Sequence, residues 1–170
     1  IIAVDLEASD HLVGVSITNG SNDVMLFSDG GKAVRFAESN VRAMGRTARG
    51  VRGMRLPDEN VLISLVVVDD EEQSVLTATE NGYGKRTKVV EYTRHGRGTK
   101  GMVAIQTSER NGRVVSAKLV TETDETMLIT TGGVLIRSPV SQIREMGRAT
   151  QGVRLINLGA DEKLAGLVKV

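Results

Sequence analysis

Lysine and arginine are concentrated in three short stretches of the sequence. Five arginines and no acid lie between positions 42 and 55, six basic residues against one glutamate between 85 and 100, and four arginines against one glutamate between 137 and 154. Acidic residues cluster elsewhere, for example in Asp69–Glu72. The formal net charge of +1 therefore hides a segregated pattern, and a local positive field attracts anions whatever the total. These stretches have the composition to hold phosphates or acidic side chains.

The basic stretches are copies of one another. A turn and an arginine-rich stretch both recur at a spacing of 51 residues, twice and without gaps. The copies of the turn are Asp29–Arg35, Glu80–Arg86 and Thr131–Arg137, and the copies of the stretch are Val41–Val51, Tyr92–Met102 and Ile143–Val153. Glycines keep the same phase within the stretch, at positions 45, 96 and 147 and at positions 50, 101 and 152. The chain is therefore predicted to be built of repeated structural units.

Residues that are in phase in a stacked repeat occupy equivalent places on successive units. The cations predicted to contact phosphates form a set with three parts. The outer row is Arg46, Arg97 and Arg148 with Arg49 and Lys100, its neighbours in the same loops are Arg42, Arg94 and Arg144, and the strand row is Arg35, Arg86 and Arg137 with Lys85. Such a curved row suits the evenly spaced phosphates of a duplex, and glycines beside it let backbone N–H groups approach an anion. Two simpler interpretations stay open: charged loops are often only solvated, and strand arginines can pair with acids on neighbouring strands.

The sequence offers little to a catalytic mechanism. His11 and His95 are the only histidines and have no nearby ligand partners, which disfavours a zinc site and Ser/His/Asp catalysis. The segment Gly96–Gly101 lacks the spacing of a phosphate-binding P-loop. Without cysteines, neither disulfides nor thiolate metal sites are expected, which fits a reducing cytoplasm. The longest apolar run, Val61–Val68, is too short to span a bilayer.

The repeated unit has the pattern of β-strands. Short β-rich runs end at turns such as Asn81-Gly82 and Gly132-Gly133, where glycine and asparagine tolerate the positive φ of a hairpin turn. The predicted strands are Val24–Phe27, Val75–Ala78 and Met127–Thr130, their return strands Lys32–Phe36, Lys85–Val90 and Val134–Arg137, and a third type at Val61–Val68, Val114–Val120 and Leu164–Val170 with an earlier copy at Leu12–Thr18. No helical stripe is present, so the fold class is predicted to be all-β.

Four strands in about 50 residues are typical of a propeller blade. The third strand type occurs four times and the turns three times, which predicts an open arc of three blades and a partial blade instead of a closed ring. We therefore expect one domain over 1–170, with repeats at 23–73, 74–124 and 125–170 and the end of a preceding blade at 1–22. Because Ile1-Ile2 already has the character of a strand, the chain is expected to be a fragment.

Several long runs resemble one known family across essentially the whole chain. Val24–Ser28, Ser39–Gly45, Leu76–Thr87 and Thr107–Gly112, with the stretch from Gly147 to Val153, resemble the later blades of the C-terminal DNA-wrapping domain of DNA gyrase A. The resemblance implies a β-pinwheel, which is similar to a propeller but exchanges strands between blades. It also implies that the chain binds and bends duplex DNA around a basic perimeter, without sequence specificity, in support of negative supercoiling.

The same resemblance implies the chain's partners. They would be duplex DNA, the rest of gyrase A, and gyrase B in an A2B2 enzyme located in the bacterial cytoplasm at the nucleoid. ATP, Mg²⁺ and strand cleavage would belong to other parts of that enzyme, so no cofactor, metal, membrane contact or catalytic residue is expected in this chain.

The family's hallmark, Gln-Arg-Arg-Gly-Gly-Lys-Gly, is absent, and Gly96–Gly101 is only a degenerate copy of it. This departure puts strong autonomous wrapping in doubt. Two alternatives stay open: the C-terminal domain of the related topoisomerase IV protein, which wraps DNA little, and a propeller whose basic rim meets an acidic protein. The aromatic content, two Phe and two Tyr, disfavours single-strand and sequence-specific RNA binding, which need stacking platforms.

Overall fold

A computed structural model describes all residues from Ile1 to Val170, and it is built almost entirely of β-strands. The strands are β1 (Asp23–Ser28), β2 (Lys32–Ala37), β3 (Leu62–Val68), β4 (Ser74–Thr79), β5 (Tyr83–Lys88), β6 (Met102–Val103), β7 (Val114–Val120), β8 (Glu125–Thr130), β9 (Leu135–Pro139), β10 (Val153–Arg154) and β11 (Leu164–Lys169). The only helices are single 3₁₀ turns at Glu38–Asn40, Val89–Glu91 and Val140–Gln142. The all-β prediction is confirmed.

The strands form three antiparallel sheets, which we call blades 1, 2 and 3. Their strand orders are β3-β1-β2-β6, β7-β4-β5-β10 and β11-β8-β9. Each blade is built on a tight hairpin, β1–β2, β4–β5 or β8–β9, with the third strand type on its inner side. The inner strands β3, β7 and β11 pack beside one another in chain order. The three blades therefore follow one another as an open arc.

The 51-residue repeat of the sequence is also a repeat of the backbone. Gly31, Gly82 and Gly133 have φ values of +79°, +82° and +82° at equivalent hairpin turns. Residues other than glycine adopt this left-handed region at a cost in energy. The predicted hairpins at Asn81-Gly82 and Gly132-Gly133 are thus confirmed.

The outermost strand of each complete blade comes from the next repeat along the chain. In blade 1, Ala33 pairs with Met102 of β6, and in blade 2, Gly84 pairs with Val153 of β10. Both members of the pair advance by 51 residues, so the exchange itself follows the repeat. The two exchanged strands are only two residues long, and no sequence pattern marked them. Blade 3 has no such strand, and Leu135 and Ile136 of β9 are exposed at its free edge.

Two hydrophobic clusters join the blades. The first packs Met25, Phe27, Val66 and Val68 of blade 1 against Val75, Val89, Tyr92 and Ala117 of blade 2. The second packs Leu76, Ala78 and Val120 of blade 2 against Leu128, Val140, Ile143, Leu164 and Leu167 of blade 3. Burying a side chain of this size contributes about 1.5–3 kcal/mol. A third cluster, around Leu26 and Phe36, lies on the opposite face of blade 1.

The predicted strand at Leu12–Thr18 is wrong. These residues are exposed and form no ladder. Inner strands pair with the first strand of their own blade, as β3 does with β1, and residues 1–11 form no strand beside Leu12–Thr18. Its backbone hydrogen-bonding groups therefore have no sheet to join. No helix in the structure is long and apolar enough to cross a membrane.

Candidate nucleic-acid interface

The second and third arginine-rich stretches lie along the outer edges of blades 1 and 2. On blade 1, the His95 amide donates to the Arg35 carbonyl at 2.8 Å. On blade 2, the Met146 amide makes the equivalent bond to the Arg86 carbonyl at 2.9 Å, and the Arg86 amide donates to Arg144 at 3.1 Å. Two of the three predicted basic loops are therefore held by backbone hydrogen bonds on the outer edges of successive blades. In the first loop, the side chains of Arg46 and Arg49 contact residues 2, 5 and 7 instead.

Arg97 and Arg148 occupy equivalent positions, as their phase predicts. Arg97 Nη1 donates to the Arg52 carbonyl at 3.2 Å, and Arg148 Nη1 donates to the Val103 carbonyl at 2.8 Å. The two acceptors are themselves 51 residues apart. Both guanidinium groups are partly buried, so they join neighbouring repeats and expose only part of their donor set. Arg46 is exposed and donates to the Ile2 carbonyl at 3.3 Å.

The remaining loop cations differ in how far their charge is already compensated. Arg49 pairs with Asp5 at 3.1 Å and Glu7 at 2.8 Å, and Arg94 pairs with the buried Asp23 at 2.8 Å. The other three predicted loop cations are exposed and make no ion pair, namely Arg42, Lys100 and Arg144. Their charges remain available to an anion in solution.

Arg35 is not available to a phosphate, contrary to its place in the predicted set. It is 4% exposed, donates from Nε to Asp23 at 2.7 Å and forms a second ion pair with Glu71. Its Nη1 donates to the Val89 carbonyl at 3.2 Å and the Tyr92 carbonyl at 3.1 Å. Arg35 therefore fastens blade 1 to the 3₁₀ turn of blade 2.

The other two arginines of the strand row are also paired with acids. Arg86 Nε donates to the Ile143 carbonyl at 2.8 Å, which repeats the Arg35–Tyr92 contact one blade later, and Arg86 pairs with Glu122 at 3.1 Å. Arg137 pairs with Glu125 and has a side chain that is 59% exposed. The alternative interpretation of the strand row, pairing with acids, is thus confirmed at all three positions.

Lys85 also leaves the predicted set, because its side chain is fully buried. Its Nζ donates to the carbonyls of Gly147 and Arg148 and so supports the basic loop from beneath. Burial lowers the pKa of Lys85 to about 8, and the nearby Arg148 acts in the same direction against Glu91. The equivalent residue of blade 1 is Val34, an ordinary core residue. A buried ammonium in this place cannot reach a DNA backbone.

Three further cations, Arg110, Arg154 and Lys163, lie together near the end of the outer edge of blade 2 and were not predicted from the sequence. Arg154 belongs to β10, the outermost strand of that blade. Their positions are not repeated in the sequence, so a search for in-phase cations passes over them. No local motif joins residues so far apart in the chain.

The three blades, with their exchanged strands and basic outer edge, define a DNA gyrase C-terminal type of β-propeller. The family model described as the DNA gyrase C-terminal domain, beta-propeller, matches three times, at residues 22–69, 73–121 and 124–170. The chain belongs to this family.

Curated relatives agree with this assignment. The chain is 51% identical over 170 residues to the DNA gyrase A protein of Salmonella typhimurium and 50% identical over 170 residues to that of Pseudomonas aeruginosa, covering 100% of this chain in both cases. It is 50% identical over 169 residues to the Escherichia coli (strain K12) protein, covering 99% of this chain. The chain spans 19%, 18% and 19% of these three relatives, respectively.

Solved structures share the fold over nearly the whole chain. A DNA gyrase A C-terminal domain superposes with a TM-score of 0.91 at 26% identity, covering 99% of this chain and 57% of that one. The C-terminal domain of a DNA topoisomerase IV superposes with a TM-score of 0.93, also at 26% identity, covering 99% and 52%. The β-pinwheel architecture expected from the resemblance is confirmed.

Proposed function

We propose that this chain binds duplex DNA along the outer edges of its blades and bends the duplex without reading its sequence. The observation that carries the proposal is a set of exposed cations without acidic partners. Lys100 and Arg144 lie on loops held at the outer edges of blades 1 and 2, and Arg42 lies in the corresponding stretch of the first repeat. Neutralising phosphates releases counterions from the duplex, which supplies affinity independent of sequence. Arg46, Arg97 and Arg148 add donors from the same loops.

The aromatic residues favour a duplex over a single strand. Single-strand binders stack bases on exposed aromatic side chains. Here Phe27, Phe36 and Tyr92 are at most 2% exposed, and Tyr83 is 8% exposed. Contacts to a regular backbone need no such platform, and they position the duplex without selecting bases.

The curvature of the arc favours bending. The blades follow one another as an arc, so a duplex that meets cations on successive blades must follow that arc. The cost of bending is of the order of 1–6 kcal/mol for 40–90° over 20–30 base pairs, and additional phosphate contacts offset it.

The larger assembly is also part of the proposal. The relatives are DNA gyrase A proteins, and this chain spans about a fifth of their length. We infer that it works within gyrase A, together with gyrase B, in an A2B2 type II topoisomerase at the bacterial nucleoid. ATP, Mg²⁺ and strand cleavage then belong to other parts of the enzyme, and this chain supplies DNA geometry.

A second candidate function has one specific observation in its favour. The topoisomerase IV domain superposes as well as the gyrase domain does, and the hallmark of strong wrapping is absent from the sequence. The identities of about 50% to gyrase A proteins over the whole chain favour the gyrase assignment.

A gel-mobility titration of the chain with duplex DNA at several salt concentrations tests binding. If about five phosphates are neutralised, log K falls with log[salt] with a slope of about −4 to −5. A flat salt response, or a strong preference for one sequence, contradicts the proposal and favours an acidic protein partner.

Relaxing nicked circular DNA around the bound chain, ligating it and measuring the linking number tests bending. A shift smaller than that of a whole gyrase A C-terminal domain is expected, because the hallmark sequence is missing. A shift equal to that of the whole domain would show that this sequence is dispensable, and no shift at all would contradict bending.

A further inference from the structure

A cavity of about 290 Å³ opens between the β4–β5 turn of blade 2 and the segment that leads into β11. Three cationic side chains line it, those of Arg110, Arg154 and Lys163. Each is exposed, and none is part of an ion pair. The cavity therefore has an excess of positive charge at one place on the surface.

Tyr83 holds two of these cations in place. The Arg110 guanidinium carbon lies 4.6 Å from the centre of the Tyr83 ring, and that of Arg154 lies 5.5 Å from it. Arg154 Nη2 also donates to Tyr83 Oη at 2.9 Å. Two like charges that share one ring repel each other, and the ring's quadrupole offsets only part of that repulsion. Hydrogen bonds from Arg154 and Arg110 hold the pKa of Tyr83 below its usual value.

Glu162 is the only carboxylate that lines the cavity, and beside three cations it leaves a net positive charge. Glu162 accepts hydrogen bonds from the Thr130 hydroxyl and, at 3.1 Å, from the Gly159 amide, and these bonds lower its pKa. Lys163 Nζ is anchored by the side-chain carbonyl of Asn81. The polar neighbours thus orient one of the cations without neutralising it.

The fold does not require these residues. Shifted by one repeat, the position of Tyr83 is occupied by Lys32 and Val134, and that of Arg154 by Val103, which makes the same exchanged-strand pairing in blade 1. The uncharged Val103 completes blade 1 in the same way. The exchange of strands therefore requires β10, but it does not require an arginine at position 154.

We propose that this cavity is a seat for a phosphate group, and that the phosphate belongs to the backbone of a bound duplex. Arg154 lies on the outermost strand of blade 2, and that strand continues the stretch which carries Arg144 and Arg148. The seat therefore extends the outer-edge contacts and anchors the duplex where blade 2 meets blade 3. This inference rests on the proposed function.

Binding of a fluorescently labelled 30-base-pair duplex, measured by anisotropy over a salt series, tests the seat. Because the seat holds one phosphate, losing that contact reduces the salt slope by about 0.9 at most. This full reduction is expected for Arg110→Gln with Arg154→Gln. A smaller reduction is expected for Lys163→Gln, which leaves two cations in the seat. Lys118→Gln is the matched control, since Lys118 is also exposed and unpaired but lies on the inner strand β7. It should keep the parental slope.

The ring resonances of the two tyrosines give an independent readout by NMR. Duplex is expected to shift Tyr83 and to leave the buried Tyr92 in place, and inorganic phosphate is expected to shift Tyr83 in the same direction. Arg154→Gln removes a hydrogen bond to Tyr83, so the unfolding of each variant is measured as well. If the double arginine variant is destabilised, the conclusion rests on Lys163→Gln.

Three results would overturn the inference. If both Lys163→Gln and the double arginine variant keep the parental salt slope, the cavity does not contact a phosphate of the bound duplex. A Tyr83 shift with inorganic phosphate but none with duplex would make the cavity a site for a free anion. If the parent chain does not bind duplex at all, both the proposed function and the assignment of the phosphate to a duplex are overturned. The titration with inorganic phosphate would then show only whether the cavity binds an anion.

Discussion

The guanidinium of Arg35 donates to the carbonyl of Tyr92 at 3.1 Å, across 57 positions of the chain and between two blades. Arg86 makes the same contact to Ile143 one repeat later. In each case a charged side chain on a return strand caps the end of the next blade's 3₁₀ turn. Arg137, the third member of the row, pairs with Glu125 instead, and its side chain is 59% exposed.

Arg35→Met should destabilise the chain strongly, whereas Arg137→Met should not. Removing Arg35 leaves the buried Asp23 with Arg94 as its only cation and deprives two carbonyls of their donor, which should cost about 2–4 kcal/mol. The exposed Arg137–Glu125 pair should contribute less than about 1 kcal/mol. Urea denaturation of both variants measures the difference. Equal losses would show that the equivalent positions carry equal energies.

Gly101→Ala should also destabilise the chain, by about 1–3 kcal/mol or more. Gly101 has a φ of +77°, and an added β-carbon would overlap the carbonyl oxygen of Ala33 in the blade it completes. Gly96→Ala is the matched control, because nothing lies near its would-be β-carbon. Thermal unfolding should leave that variant close to the parent, within about 0.5 kcal/mol. A Gly101→Ala chain of parental stability would contradict the close packing of the exchanged strand.

Lys85 should make stability depend on pH in the alkaline range. Its pKa is about 8 in the folded chain and close to the ordinary lysine value of 10.5 in the unfolded chain. Between these values the unfolded chain binds more protons, so stability rises with pH from about 8 to 10.5, by at most about 3 kcal/mol. Lys85→Met should remove this rise, which denaturation at a series of pH values measures. An unchanged pH dependence would show that another group is responsible.

The loop cations without acidic partners should contribute to the affinity for duplex DNA but not to the stability of the fold. Arg42→Gln, Lys100→Gln and Arg144→Gln together should reduce the salt slope of duplex binding by about 2.7 and lower the affinity accordingly. Because these side chains are exposed and unpaired, the melting temperature should hardly change. Near-parental affinity in this triple variant would refute the outer edge as the path of the DNA.

Arg97 and Arg148 are less suitable for such a test, since both donate to carbonyls of a neighbouring repeat. Replacing either removes a structural hydrogen bond together with a charge. The arginines of the outer row can therefore not all be replaced without loss of hydrogen bonds that stabilise the fold. A loss of binding in those two variants must be judged against their unfolding curves.

Periodicity predicted most of the fold because every repeat needs the same turn. The glycines at 31, 82 and 133 mark a positive φ that few other residues adopt, and the strands follow from them. Lys85 could not be placed in this way. It occupies a core position that Val34 fills in blade 1, and only the carbonyls of Gly147 and Arg148, 62 and 63 residues away, make a lysine acceptable there.

Pairing between distant residues limited the rest of the prediction. The exchanged strands β6 and β10 are too short to show alternation, and their partners lie about 70 residues earlier in the chain. Leu12–Thr18 shows the opposite error, since it has the composition of a strand but nothing beside it to pair with. A segment with strand propensity forms a strand only where a neighbouring strand is available to pair and pack with it.

Because of the exchanged strands, the 51-residue sequence repeat and the folded blade do not have the same boundaries. A cut after residue 124 would remove the third repeat and, with it, β10 from blade 2, leaving an edge like the one that blade 3 now presents. Duplicating any 51 consecutive residues, by contrast, would add one complete blade wherever the duplication began, because the register advances by the same step. Such an array can therefore lengthen by gene duplication without a domain boundary to respect, and at either length its last blade lacks an exchanged strand.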